Sequence, residues 1–303
     1  MSLKKPNVLL VGSAKAGTTA LFSFLSQHEA IENPKRKEPK FLSYASGITK
    51  LNGPSDQKTI DRCVKDENEY KQLYSTDPDV ISIDGSVDNL YHYKKVIPII
   101  KDKLGDVKII ISLRNPITRA FSAYAMQVRD QREQLSFKEA LDAENQRIKD
   151  SYEFIWYYKN CGLYYNQVKA YFDNFSQVKV IVIEDFKTNS KKIFDELLTF
   201  LGLDTNYDIN FSETPNKTGI PKNKLLHKAL VLSNFIKRLS LLVPVNMRRK
   251  LHQKVVKRII GYDELKYNGE ESNELYNFFK EDIYQLSKLL ERDLYSLWLK
   301  KYG

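Results

Sequence analysis

"NVLLVGSAKAGTTALFSFL", residues 7–25, decides the fold. After Asn7 the run is apolar to Val11, and beyond Thr18 the apolar residues fall at helical spacing, so a strand passes through a turn into a helix. Gly12 and Gly17 open backbone angles closed to other residues, which lets main-chain N–H groups converge on one point. The helix beginning at Thr18 and Thr19 aims its free amides and the positive end of its dipole at that same point. Such an arrangement cradles an anion. A nucleoside-triphosphate loop, G-x-x-x-x-G-K-[ST], carries its lysine directly after the second glycine, where this chain has Thr18. Here the lysine is Lys15, inside the turn.

Outward from that loop, three further runs read as buried strands: "VISI" (80–83), "KIIISL" (108–113) and "VKVIVIE" (178–184). Amphipathic helical stretches near 18–27, 94–103, 117–129, 137–148 and 160–173 separate them. Nearly all-apolar strands alternating with helices imply a parallel sheet covered on both faces. The expected fold is α/β, three layers α/β/α around a central parallel sheet of four to five strands. Beyond Asp185 the pattern is helical, at 190–202, 223–241, 246–258 and 270–289. Segment 43–66 is polar and turn-rich, and is expected to be a surface loop shaping a substrate mouth.

A chain of 303 residues with 42% hydrophobic content has the means for a full core. No run approaches the roughly 20 apolar residues of a membrane span, and no signal peptide is read ahead of the first strand. Two cysteines, Cys63 and Cys161, make neither a disulfide framework nor a zinc site, so a reducing cytoplasm is expected. The net charge of +10 is concentrated: eleven Lys or Arg and no Asp or Glu lie between Lys222 and Arg258. That stretch favours an anionic partner. Phe235 is its only aromatic residue, which argues against stacking on single-stranded nucleic acid.

A second motif, "IIISLRNPITRAFSAYAMQ" (109–127), runs from a strand through Arg114, Asn115 and Pro116 into a helix bearing Arg119, Ser122 and Tyr124. Parallel strands share one carboxyl edge, where ligands bind, so Arg114 should emerge beside the first loop. Two anion sites on one edge suit a nucleotide phosphorylated at both ends of its ribose. With these residues in view, the chain resembles sulfotransferases that use 3′-phosphoadenosine-5′-phosphosulfate (PAPS). "AKAGTT" (14–19) resembles the family's 5′-phosphosulfate loop and "RNPITRAFSAY" (114–124) its 3′-phosphate motif. The resemblance continues through "GLYYNQVKAYFDNF" (162–175), "VIVIEDF" (180–186), "FDELLTFLGLD" (194–204) and "NKTGIPKN" (216–223). It is closer to bacterial and glycan-type members than to the phenol and steroid enzymes.

The resemblance implies that Ala14, Lys15, Ala16, Gly17, Thr18 and Thr19 hold the donor's 5′ end. Arg114, Ser122, Lys217, Thr218 and Gly219 hold its 3′-phosphate, and 3′-phosphoadenosine 5′-phosphate (PAP) is the product. It implies a single domain over 1–303, with a nucleotide-binding core at 1–204 and a covering loop and helical cap at 205–303. Lys15 is the candidate for stabilising the leaving 5′-phosphate. No metal is expected, because a sulfuryl group carries less charge than a phosphoryl group.

Glu38, in "KRKEPKFLSY" (35–44), matches the segment whose glutamate acts as base in glycan enzymes. Lys35, Arg36, Lys37 and Lys40 surround it, so a counterion role is the alternative reading. His92 is the rival base. Asp84, Asp88, Tyr91 and Tyr93 are candidates for acceptor binding, while Gly85 stands where glycan enzymes often carry lysine. The acceptor is a hydroxyl or amine of a glycan, small molecule or secondary metabolite. Other classes stay open at this point: a small-molecule kinase, with Glu184 and Asp185 as its weak Walker B candidate, or a non-enzymatic basic binder of nucleic acid or membrane surface.

Overall fold

The first apolar run becomes an interior strand of a four-stranded, all-parallel sheet in the order β2 (Ile83–Asp84), β1 (Val8–Gly12), β3 (Lys108–Leu113) and β4 (Val178–Val182). The computed structural model describes residues 5–32, 34–77, 79–211, 269–300 and 302. The helices expected at 223–241 and 246–258, the basic stretch 222–258, and Lys217, Thr218 and Gly219 lie outside the described residues.

Strand β1 (Val8–Gly12) is buried along its whole length, and β3 (Lys108–Leu113) is buried beyond its first residue. Side chains alternate between the two faces of a strand, and here both faces are covered. Leu9, Val11, Ile109 and Ile111 pack into one cluster with α2 (Tyr93–Lys103), α3 (Pro116–Arg129), α4 (Tyr164–Asn174) and α6 (Gly269–Leu289). Val8, Leu10 and Ile110 pack into another with α1 (Thr18–Leu25) and α5 (Ser190–Leu201). The three expected layers are therefore present, and α6 belongs to one of them. Its Leu275, Phe279, Ile283 and Leu286 form the buried stripe.

Two strands depart from the sequence expectation. The run 80–83 yields only β2 (Ile83–Asp84) and a lone bridge between Ile31 and Ile81. The side chain of Asn7 takes over the ladder there: its Oδ1 accepts from the Ser82 amide at 2.9 Å and its Nδ2 donates to Val80 O at 3.0 Å. Strand β4 (Val178–Val182) stops short of Glu184, because the chain turns into a helix at Ile183–Thr188. The helix expected over 137–148 is two short ones, Phe137–Asp142 and Glu144–Lys149. Between them and α4 the buried Glu144 carboxylate accepts from the amides of Lys159 (2.6 Å) and Asn160 (2.8 Å).

Segment 43–66 is not a plain surface loop. It holds a short helix at Gln57–Asp61, and Asp56, Ile60 and Val64 are buried. Asp56 accepts from the Glu153 amide (2.6 Å) and from Trp156 Nε1 (2.9 Å), and it pairs with Arg132. A buried carboxylate persists only with such partners, so Asp56 pins the segment to 153–156. Asp56→Ala should destabilise the fold by about 3 kcal/mol by leaving those donors without their acceptor. A urea titration checks this: the midpoint falls while the slope stays constant.

Candidate active site

Both glycines of the first loop are required by its geometry. Gly12 has φ +151°, and a Cβ there would meet Leu90 Cβ at 2.6 Å. Gly17 has φ +78°, and a Cβ there would meet Ile183 Cδ1 at 2.5 Å. The loop is strapped to the end of β3 by three hydrogen bonds. Ser13 N donates to Ser112 O at 2.6 Å, and Ser112 Oγ donates to Ala16 O at 2.6 Å. Arg114 Nη1 donates to Lys15 O at 3.2 Å. Arg114 thus stands beside the first loop, as the sheet topology predicts. Its Nε also donates to Thr118 Oγ1 (2.9 Å), and its carbonyl accepts from the Tyr164 hydroxyl (3.0 Å).

Lys15 adopts a left-handed φ of 72° that directs its side chain across to α3, where Nζ lies 3.4 Å from Met126 Sδ. Burial pushes its pKa down to about 8, and the nearby charges of Arg129 and Arg114 add to the effect against a smaller opposing pull from Asp130. The site therefore gathers positive charge that an anion would relieve. Arg119, Ser122 and Met126 share one face of α3. Ser122 is buried, and its Oγ has no hydrogen-bond partner among the described residues. Arg119 is fully buried and donates from Nη2 to Tyr158 O at 2.5 Å, while its Nε and Nη1 likewise find no partner among them. Buried polar atoms of this kind are rare without a ligand or water to meet them.

Sequence reasoning missed what supports this edge from the far end of the chain. Asn115 caps α3, its Oδ1 accepting from Ile117 N and Thr118 N, and its Nδ2 donates to Trp298 O at 2.5 Å. Glu184 accepts from Asn115 N (3.1 Å) and from Trp298 Nε1 (3.1 Å). Asp185 pairs with Arg292. The two carboxylates considered as a Walker B pair are thus committed to holding the C-terminal segment beside the Arg114 turn. Nothing in local periodicity marks Trp298 or Arg292 for this task.

The segment bearing Glu38 reaches the loop through its neighbour. Lys37 Nζ lies 3.3 Å from Thr19 Oγ1 and 3.2 Å from Glu38 Oε1. Thr18 is buried and Thr19 exposed at the start of α1. His92 lies elsewhere, at the N-cap of α2, lining a cavity of about 20 Å³ with Lys40, Ser43, Asp88, Glu153 and Phe154. Burial pushes its pKa down to about 4, against the pull of Asp88. Burial also opposes the charge on Lys40, but Asp88, Glu153 and Glu38 outweigh it and raise that pKa. Asp84 does not face a ligand: it is fully buried, accepting from Tyr70 Oη (2.8 Å) and Ser86 N (2.8 Å). Burial raises its pKa to about 6. Asp88 accepts from Ser43 Oγ at 2.6 Å, and its Oδ1 has no partner among the described residues.

Among the described residues no group of His, Cys, Asp or Glu is arranged to hold a metal ion, and no helix is long and apolar enough to cross a membrane.

Residues 5–218 match the sulfotransferase domain family. No curated protein matches the chain. Among solved structures, the chain is similar to a sulfotransferase from Alicyclobacillus acidocaldarius, at 32% identity and a TM-score of 0.75. That match covers 97% of this chain and 98% of the other. Fainter likenesses link it to the sulfotransferase domain of the curacin biosynthetic pathway (13% identity, TM-score 0.46, covering 71% of this chain and 79% of that one). The same holds for the sulfotransferase domain of the Synechococcus PCC 7002 olefin synthase (14%, 0.38, 71% and 82%).

The lowered pKa of Lys15 has a consequence for binding. Below about 8 the side chain is charged and attracts an anion; as pH rises through that value the charge is lost. Affinity for sulfate, an anion whose own charge does not change over this range, measured by calorimetry across pH 6.5–9.5, should fall about tenfold on the alkaline side. Lys15→Arg, which stays charged throughout, should abolish that dependence.

Proposed function

The chain belongs to the sulfotransferase family, and from that premise we propose that it transfers a sulfuryl group from PAPS to a hydroxyl or amine of a glycan or small-molecule acceptor. The observation that carries this reading is the bond from Arg114 to the Lys15 carbonyl, which joins two cationic motifs into one site. The residues present fit such a donor. Two glycines without room for a Cβ let the loop fold tightly against Leu90 and Ile183 ahead of the helix that starts at Thr18. Cations crowd around Lys15, and the Ser122 hydroxyl is without a partner among the described residues.

In this reading Ala14 to Thr19 hold the 5′ end of the donor, and Arg114 and Ser122 the 3′-phosphate. Lys217, Thr218 and Gly219 are assigned to cover the nucleotide on the resemblance alone. PAPS supplies an activated sulfuryl group. As the acceptor oxygen bonds to sulfur, the S–O bond to the 5′-phosphate breaks and its electron pair stays on that phosphate. Glu38 receives the acceptor's proton. Lys15 stabilises the negative charge that grows on the leaving phosphate, an electrostatic task commonly worth about 10²- to 10³-fold in rate. Glu38 is preferred to His92 because its neighbour Lys37 bonds to Thr19, at the start of the phosphate-binding helix. The cavity around His92 is lined by neither Glu38 nor the loop. Lys15 in the turn makes a metal clamp unnecessary to this scheme. We read the chain as one domain, acting in the cytoplasm.

Two variants test the assignments. Arg114→Ala should weaken PAP binding about 10- to 100-fold, the worth of a charge-assisted hydrogen bond. Undiminished binding in calorimetry would remove Arg114 from the site. Glu38→Gln should bind PAP as the wild type does but turn over about 10²- to 10⁴-fold more slowly. This is read from transfer of ³⁵S-labelled PAPS to a panel of hydroxyl and amine acceptors. Wild-type turnover in that variant would place the base elsewhere.

A further inference from the structure

Lys37 occupies a position that its own sequence context does not explain. Its backbone is fixed by the Gly85 amide, which donates to Lys37 O at 2.9 Å. Its side chain then runs directly over Gly85. A Cβ at that glycine would come within 3.1 Å of Lys37 O, 3.2 Å of its Cγ and 3.3 Å of its Cε. A side chain at 85 would therefore crowd that path by a few tenths of an ångström. At the far end the ammonium lies 3.3 Å from Thr19 Oγ1, 3.2 Å from Glu38 Oε1 and 5.8 Å from the centre of the Phe22 ring. The side chains of Lys37 and Glu38 are 21% and 32% exposed, so a ligand can reach both.

We propose that Lys37 contacts the donor, its ammonium binding the sulfuryl oxygens of PAPS, with Gly85 as the residue that makes room for it. The proposal rests on the PAPS reading above. Thr19 marks the end of the site that holds the donor's 5′ side, and Glu38 must lie within about 2.6–3.2 Å of the acceptor atom whose proton it takes. The group in transit has to pass between those two markers, and Lys37 Nζ is within about hydrogen-bonding distance of both. A lysine ammonium has three donors. Two are directed to Thr19 and Glu38, and the third is available to an anion between them. A compact, strongly hydrated point charge suits this position better than a planar guanidinium, because it can serve three partners in different directions.

Titration of wild type, Lys37→Met and Gly85→Ala with PAP and with PAPS, in the absence of acceptor, tests the assignment. PAP lacks the sulfuryl group, so Lys37→Met should bind it within about twofold of wild type. PAPS should lose about tenfold more, the effect of one charge-assisted hydrogen bond. Gly85→Ala should shift the PAPS-to-PAP ratio in the same direction by displacing Lys37. The double variant should be no worse than Lys37→Met alone, because both changes act on one contact. An unchanged ratio in Lys37→Met, equal losses for both nucleotides, or additive effects in the double variant would overturn the proposal. If wild type bound neither nucleotide, the PAPS reading itself would fall, and this assignment with it; a wild type that binds both isolates the question to Lys37.

Discussion

The strap between the first loop and the end of β3 is the constraint on which the rest depends. Ser13 and Ala16 are bonded to Ser112, and the Lys15 carbonyl is bonded to Arg114. These contacts join residues about a hundred positions apart in sequence, and they bring two cation-bearing motifs onto one surface. Parallel pairing brings the strand ends together, and the register slip between Leu10 and Gly12 marks where the loop leaves the ladder. Without the strap, Lys15 would have little to hold it in a left-handed conformation that residues other than glycine rarely adopt. The resulting site concentrates cations: burial is the main cause of the lowered Lys15 pKa, and the charges of Arg129 and Arg114 add to it. That arrangement is unfavourable alone and favourable once an anion arrives, which is how a binding site differs from a structural ion pair.

The strap is held from behind by the C-terminal segment. Trp298 and Glu184 close on Asn115, and Arg292 fastens Asp185. Helix α6 adds Asp282, whose half-buried carboxylate accepts from the amides of Tyr164 and Tyr165 at the start of α4. Burial raises the Asp282 pKa to about 6, against the lowering effect of those two amides. Tyr164 in turn donates to the Arg114 carbonyl. The chain's last helices therefore position a turn encoded near residue 115. This fits a structural likeness that extends over 97% of the chain, beyond the nucleotide-binding half alone.

On the other side of the loop, the segments 35–66 and 84–92 are organised by buried charge. Lys40 and Arg132 share Glu153, Arg132 also pairs with Asp56, and Ser43 donates to Asp88. A polar network with its members paired is rigid, and one with an unpaired member is costly. Asp88 Oδ1 and both side-chain polar atoms of Asn89 have no partner among the described residues, and Asp88 lines the same small cavity as His92. In the proposed reading, the donor is held at the sheet edge, and acceptor choice falls to loops held by side-chain networks, the part of a fold that varies most readily between activities.

The sequence by itself determined the sheet, its parallel sense, the two anion motifs and the edge on which they meet. Those features are written locally, in strand-length apolar runs such as 108–113 and in glycines at 12 and 17 whose backbone angles other residues avoid. Only the tertiary structure decided the fate of polar side chains. Asn7 replaced part of a strand ladder, Asp56 turned an expected surface loop into an anchored one, and Glu184 and Asp185 became braces for the C-terminal segment. Lys37 likewise found its place against a glycine 48 positions away. The physical reason is range. Periodicity and backbone freedom act between near neighbours along the chain, whereas a buried hydrogen bond such as that from Asn115 to Trp298 joins residues 183 apart, and its partner is chosen only when the core closes.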